Sequence, residues 1–513
     1  MLFRSVMKTS ALTPLALLMS SVSVPAQADS PGLFVAQFDH ILGTSLTVKL
    51  TATSWAAARL AEQVLLAEMA RLESVLSSYR SDSEFSRWLA APLNGAVAVS
   101  SDLLNVLSQF DHWRAQTNGV LNAAAEHLNQ RWQQAAHRQE KPSEADRQQA
   151  VIEVNQTHWR LDANQQTATR LTSVPLRLHT FTKNYVLGRT ADVVLATPGV
   201  SGLVLNSGGD LLIRGNWSET VAIANPRSPA DNALPIARLI VQNAAIATSG
   251  DYRRGTQVGN EWGSHIMDPR TGMPASAVIS ATVLHPDPVT AGALATTFNI
   301  LTPAESASLA TGLPGTEYLL ISRQGEFIAS KGWPGIALPL PESLLMSTAP
   351  KTAYLLSVPT KDKQWNPAQE LLVTFDLARF EGGSRRPFVA VWVVDEAKKP
   401  VRQLALWYNK PRWLHDLREW YTLNVATDVA TSVASATRSP GQYTLVWDGK
   451  DDQGQWVKQG KYTIQIEAAR EHGTYQLIQQ MMDFNGKVKQ QLLNGNVEIT
   501  TATLDYREKG TTR

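Results

Sequence analysis

A change of hydrophobic rhythm across residues 334–350 divides this chain. The run reads PGIALPLPESLLMSTAP and holds four prolines. Proline lacks a backbone donor, fixes its own φ and restricts the residue before it, so such a run serves as a linker. Before it, helical and strand patterns mix. Leu46, Val48 and Leu50 alternate as in a strand. Leu65, Met69, Leu72 and Leu76 then follow helical spacing behind Ser54, a plausible N-cap. A second helix is expected over 101–113, and residues 129–150 read as an exposed helix or loop. From 150 to 330, short strands (202–205, 236–241, 281–284, 318–321) mix with helical pieces (182–195, 291–301), an α+β pattern. After the linker, 371–377 and 388–394 are apolar runs of strand length. Residues 443–447 and 462–467 alternate cleanly, and Asp448-Gly449 and Asp452-Gln453-Gly454 are turn signals. Only 416–421 reads as helical there. A β-sandwich is expected.

The length of 513 residues exceeds one core, so two or three domains are expected. The N-terminus reads as an export signal: Arg4 and Lys8, a short apolar run through Leu12, Leu15, Leu17, Leu18 and Met19, then Val24-Pro25-Ala26-Gln27-Ala28. The apolar run is too short to span a bilayer, which takes about 20 residues. The expected division is a signal peptide at 1–28, an α+β domain at 29–333, a linker at 334–353 and a β domain at 354–513. The mature protein is expected in the periplasm and not membrane-spanning. Arg4 and Lys8 account for the whole excess of 47 Lys+Arg over 45 Asp+Glu, so the charge gives no case for nucleic acid. The absence of cysteine excludes disulfides, thiolate metal sites and a cysteine nucleophile.

Chemistry concentrates between residues 206 and 272. Asn206-Ser207-Gly208-Gly209-Asp210 follows a short strand; the paired glycines allow a tight turn or close approach to a ligand, and on spacing alone the run reads first as a plain strand-to-strand turn. Ala247-Thr248-Ser249-Gly250-Asp251-Tyr252 offers hydroxyl and backbone N–H groups suited to phosphate oxygens. His265-Ile266-Met267-Asp268-Pro269-Arg270-Thr271-Gly272 brings together an imidazole suited to general-base work and a guanidinium suited to phosphate. Asp-Pro-x-Thr-Gly also makes a capped turn.

In order along the chain, these runs resemble the ApbE family of flavin transferases. The resemblance begins at Leu42-Gly43-Thr44 and continues through Glu68…Leu72-Glu73…Leu76-Ser77-x-Tyr79 and Ser83-Glu84-Phe85-Ser86-Arg87. It goes on with Thr117-x-Gly119, Lys183-x-Tyr185 and Asn206-x-Gly208-Gly209-Asp210. The runs TSGDY and H-I-x-D-P-R-T-G are its most specific elements. Ala293-Leu294-Ala295-Thr296 matches D-A-L-A-T without its first residue. The resemblance implies an α+β, T-fold-like domain that takes FAD as substrate with magnesium. It further implies cleavage of the pyrophosphate and attachment of FMN to a Thr or Ser hydroxyl of an exported or membrane-associated target protein. By this resemblance His265 is the base and Thr296 a metal ligand. Lys183, Asn206, Gly208, Gly209, Asp210, Thr248, Ser249, Gly250, Asp251, Tyr252, Asp268, Arg270 and Thr271 line the nucleotide site.

Departures cluster at polar positions. Gly292 stands where the family has a metal-binding aspartate, which calls the magnesium site into question. Asn184 replaces the glycine of K-G-Y, Gly188 a later aspartate, Asn122 an aspartate and Leu89 an asparagine. Arg177-Leu178-His179-Thr180 replaces Asp-Leu-Gly-Gly. A second expectation is therefore a catalytically weak or inactive flavin-binding or partner-binding scaffold, and a third an unrelated exported β-rich module. In the C-terminal part, Trp447-Asp448-Gly449-Lys450-Asp451-Asp452-x-Gly454 with Gly460-x-Tyr462 resembles the hairpin of Ig-like flagellar hook-cap domains. The wider run resembles an uncharacterised bacterial domain found fused to ApbE-type proteins. Asp448, Asp451 and Asp452 are read as turn residues rather than calcium ligands. The seven tryptophans of the 15 that lie here are read as core, with a partner-binding patch as the alternative.

Overall fold

The computed structural model describes residues 32–228, 230–251, 255–259, 261–333, 337–338, 363–379, 386–408, 411–424, 434–435, 437–438, 440–470 and 473–510. The expected signal peptide and most of the expected linker lie outside these residues.

The N-terminal part is built on one antiparallel sheet whose eight strands follow each other in sequence. They are β1 (Gly32–Ile41), β2 (Thr44–Ala52), β3 (Val200–Ser207), β4 (Asp210–Gly215), β5 (Ala245–Gly250), β6 (Val278–His285), β7 (Glu317–Ser322) and β8 (Phe327–Ala329). Alternation splits the side chains between two cores. Leu203, Leu205, Leu212, Ala245, Ala247 and Leu320 face the helices. Val204, Ile213, Ile246 and Leu319 face a small sheet carrying the strands Ser218–Ile223 and Ala237–Gln242. The result is a layer of helices, a sheet and a smaller sheet.

Three helices matter for the site: α1 (Trp55–Leu76), α2 (Thr182–Leu195) and α3 (Pro288–Ile300). Ser54 caps α1 as expected, its Oγ accepting from the Ala57 N–H at 3.1 Å. α3 is buried on nearly every face, which explains its lack of a polar stripe. Residues 129–150, expected as an exposed helix or loop, form parts of two helices, Ala125–Arg138 and Glu144–Val154. The first buries Leu128, Trp132 and Ala135 at helical spacing.

The C-terminal part is a β-sandwich. One sheet orders Gly441–Trp447, Gln369–Leu377, Ile499–Glu508 and Lys489–Asn494; the other runs Ala434–Ser435, Pro400–Trp407, Phe388–Val394, Gly460–Ala469 and Tyr475–Phe484. The Phe388–Val394 strand is buried throughout because both its faces are covered. Val389, Val391 and Val393 enter the inter-sheet core, while Phe388, Ala390, Trp392 and Val394 pack beneath Leu417 and Trp420. That is why it reads as a continuous apolar run rather than an alternation. The helix expected at 416–421 lies slightly later, at Arg418–Asn424, after a 3-10 turn at Pro411–Asp416. The buried Glu467 carboxylate fixes its start by accepting from the Glu419 and Trp420 N–H groups at 2.9 and 2.8 Å. Trp365, Trp392, Trp407, Trp420 and Trp447 are core residues.

Candidate nucleotide site

A cleft of about 1130 Å³ opens where the β1–β2 and β3–β4 turns meet the end of β5 and the facing helices α2 and α3. Ten of the expected residues line it: Lys183, Asn206, Gly208, Gly209, Asp210, Thr248, Ser249, Gly250, His265 and Thr296. They come from segments far apart in sequence, and the sheet ends bring them together.

The Gly208-Gly209 turn shows why glycine stands there. Both residues have positive φ, +60° and +101°, and a Cβ on Gly208 would meet Thr44 Oγ1 at 2.6 Å. Asn206 Oδ1 accepts from the Gly209 N–H at 3.1 Å and holds the turn closed. Asp210 follows, with Lys183 Nζ 2.9 Å from its Oδ2. Burial pushes the Asp210 carboxyl up, and the Lys183 ammonium opposes that rise. The pair therefore presents a cation that is partly neutralised but still reaches the cleft.

α2 is held in place by the residue after Asn184. The Tyr185 hydroxyl donates to Asp102 Oδ1 at 2.7 Å, and Arg71 of α1 donates to Asp102 Oδ2 at 2.8 Å. Burial raises the Asp102 carboxyl. The hydrogen bonds from Tyr185 and Arg71 outweigh that rise and hold it below its usual range. An ionised, doubly bonded Asp102 thus anchors the first turn of α2 beside the cleft.

Four expected residues lie outside the lining. Asp251 is buried and paired with Arg323. Asp268 pairs with Arg270 at 2.9 Å, and Arg270 also reaches Glu305 at 3.1 Å. Thr271 Oγ1 accepts from the Met273 N–H at 3.3 Å, closing a turn. Tyr252 lies outside the described residues. Sequence reasoning assigned no role to other lining residues. Tyr79 is 82% exposed, with the Arg177 guanidinium 5.2 Å from its ring centroid. Arg177, His179 and Asn184 also line the cleft. Their signal was their departure from the family pattern at polar positions.

Gly292 and Thr296 of α3 and Asn184 of α2 meet along the cleft. Gly292 offers no side chain, Asn184 supplies an amide and Thr296 a hydroxyl. Among the described residues no three His, Asp or Glu side chains cluster to hold a metal ion. A divalent cation of the magnesium type takes one or two carboxylates from its protein. The residues at this spot do not fit such an ion. Among the same residues, no helix is long and apolar enough to cross a membrane.

Residues 42–320, more than half of the chain, match the ApbE family. Residues 370–501 match a family described as a predicted periplasmic protein (DUF2271). An FAD:protein FMN transferase of Haemophilus influenzae is 26% identical over 266 residues, spanning 49% of this chain and 76% of that protein. One from Vibrio cholerae is 29% identical over 231 residues, spanning 43% of this chain and 67% of the relative. Among solved structures, the ApbE protein of Thermotoga maritima superposes with a TM-score of 0.53 at 21% identity, covering 60% of this chain and 100% of its own. The apo flavinyl transferase ApbE of Pseudomonas stutzeri gives 0.50 at 21% identity, covering 60% and 97%. These two likenesses concern the fold of the N-terminal part. With its eight-stranded sheet, its cleft and a family match over more than half its length, the chain belongs to the ApbE family.

Proposed function

We propose that this chain is an exported FAD:protein FMN transferase acting in the periplasm. Residues 1–28 are its cleaved signal, 29–333 its transferase domain, 334–353 a linker and 354–513 an accessory β domain. The observation that carries this reading is the convergence of Lys183, the Asn206–Asp210 turn, Thr248–Gly250, His265 and Thr296 on one cleft.

The reaction breaks the P–O–P bond of FAD, forms a phosphoester between FMN and a Thr or Ser oxygen of the target, and releases AMP. His265 takes the proton of the attacking hydroxyl. Lys183 faces the phosphates, and the small residues at 208–210 and 248–250 let the nucleotide lie against backbone. Asp251, Asp268, Arg270 and Thr271 shape the walls through their pairs and turns. A bound magnesium would neutralise charge on the phosphates, but the neutral side chains of Asn184 and Thr296 do not fit it and no step is routed through one.

The test incubates the purified protein with FAD and its exported target, with and without magnesium. Covalent FMN is then read by in-gel fluorescence and mass spectrometry. The expected outcome is flavinylated target, and His265→Ala lowers the rate by about 10²–10⁴-fold while leaving FAD affinity nearly unchanged. FAD binding without any transfer to the natural target would favour the scaffold reading. Full turnover in the His265 variant would place the base elsewhere.

A further inference from the structure

Asn184 sits in the first turn of α2, is 2% exposed and lines the cleft. Its Nδ2 is buried without a hydrogen-bond partner among the described residues. A buried, unpaired amide is costly, and its retention calls for a ligand that accepts from it. α2 begins without a side-chain cap, since Phe181 occupies the N-cap. The first-turn N–H groups of a helix have no acceptor inside the helix, and the macrodipole favours an anion there. Thr182, Lys183 and Asn184 all border the cleft at this end. The start of a helix, a residue whose buried amide nitrogen lacks a partner and an ammonium-bearing residue therefore border the same volume.

Position 292 on α3 lies directly against this group. A Cβ there would stand 2.2 Å from Asn184 Oδ1 and 2.6 Å from its Cγ. A side chain at 292 and the amide at 184 exclude one another. A carboxylate at such a spot repels phosphate unless a cation bridges them, whereas an amide N–H binds phosphate oxygen directly.

We propose that Asn184 is a phosphate-binding residue. Together with the start of α2 and Lys183, it holds the pyrophosphate of the nucleotide directly, so that binding needs no divalent cation. The inference rests on the reading of the cleft as an FAD site.

The experiment titrates FAD and, separately, inorganic pyrophosphate into the full-length mature protein, in EDTA and in magnesium. FAD is followed by flavin fluorescence and both ligands by calorimetry. The unsubstituted protein is expected to bind FAD equally, within about twofold, in both conditions. Asn184→Asp keeps the shape but replaces the donor with a carboxylate. It is expected to lose about tenfold or more in EDTA, the scale of a hydrogen bond to a charged group, and to regain affinity in magnesium. A merely structural role for Asn184 would not produce that rescue. Asn184→Ala, with folding checked by circular dichroism, is expected to lose affinity in both conditions. A tenfold loss of FAD affinity on adding EDTA to the unsubstituted protein overturns the proposal. So does unchanged binding by the Asp and Ala variants. If FAD fails to bind in either condition, the FAD reading falls. The phosphate site is then judged on pyrophosphate alone: binding in EDTA that is lost in Asn184→Asp upholds it, and no binding overturns it.

Discussion

Gly449 shows how much one residue of the β domain is constrained. Its φ is +83°, and a Cβ would stand 2.1 Å from Cδ2 of Trp365. That indole is packed against Trp447, Phe484 and Tyr506, with centroids 4.8, 5.1 and 5.3 Å away. Gly449→Ala therefore combines left-handed strain with overpacking of a ring that has no room to move. We expect a loss of about 3 kcal/mol or more, read as a lower denaturant midpoint of the C-terminal domain. A change below about 0.5 kcal/mol would show that the ring yields. This residue was legible in sequence as a turn, because Asp448-Gly449 carries its own signal. Its contact with Trp365 was not, since 84 residues separate them. Of the neighbouring carboxylates, Asp448 and Asp451 match their reading as turn residues, whereas Asp452 instead bonds across to the strand Pro400–Trp407. Asp448 accepts from the Lys450 N–H, Asp451 from those of Gln453 and Gln455, and Asp452 from that of Gln403. At the cleft the same limit applies. The ApbE-type runs name the ten lining residues. That Asn184 fills the space beside Gly292 depends on two helices meeting, which no local pattern records.

At the scale of elements, α2 and α3 approach closely through two contacts one helical turn apart. Asn184 lies against Gly292, and a Cβ on Gly188 would meet Pro288 Cγ at 3.0 Å. Positions 184 and 188 share one face of α2, and 288 and 292 one face of α3. The helices themselves were legible: 182–195 was expected and found, and 291–301 was found three residues earlier, from Pro288, behind the Asp287 cap. The crossing was not legible, because it depends on which faces meet. The contact predicts strong coupling. Gly292→Asp alone should cost about 2–3 kcal/mol, because its side chain cannot enter while Asn184 is present. Asn184→Gly alone should cost less, since it opens a void and releases an orphaned amide but adds helix-interior glycine. Combined, Asn184→Gly and Gly292→Asp should recover about 1 kcal/mol or more relative to the sum of the two, a coupling measured by chemical denaturation of all four proteins. Strict additivity would mean that the two positions do not touch.

Across the whole molecule, the β domain is tied to the two segments that border the cleft. Asp231 and Asn232 follow the strand Ser218–Ile223, whose residues Glu219–Ile223 line it. They pair with the outer strand Gly441–Trp447 of the four-stranded sheet. The Asp231 N–H donates to the Thr444 carbonyl at 2.7 Å, and Asp231 Oδ2 accepts from the Thr444 N–H at 2.9 Å. Asn232 brackets Val446, accepting from its N–H at 2.9 Å and donating to its carbonyl at 3.0 Å. Asp231 and Asn232 thus satisfy, through the Asp231 backbone N–H and both side chains, an edge that would otherwise offer unpaired backbone. The second tie meets β1, whose turn at Leu42–Thr44 lines the cleft. Arg386 donates to the Phe38 carbonyl at 3.0 Å, and Thr437 Oγ1 to Gln37 Oε1 at 2.6 Å. None of this was legible in the sequence, because an Asp-Asn pair in a loop carries no sign of its acceptor more than 200 residues away. The prediction is that Asn232→Ala leaves both Val446 groups without their partner at a cost of about 1–2 kcal/mol. Amide exchange at Val446 should quicken by about tenfold, with the β1–β7 core unaffected. If the domains unfold as one in the unsubstituted protein, the variant should split that transition, the C-terminal domain melting first. Unchanged protection at Val446 would mean that this tie is not what holds the β domain against the cleft.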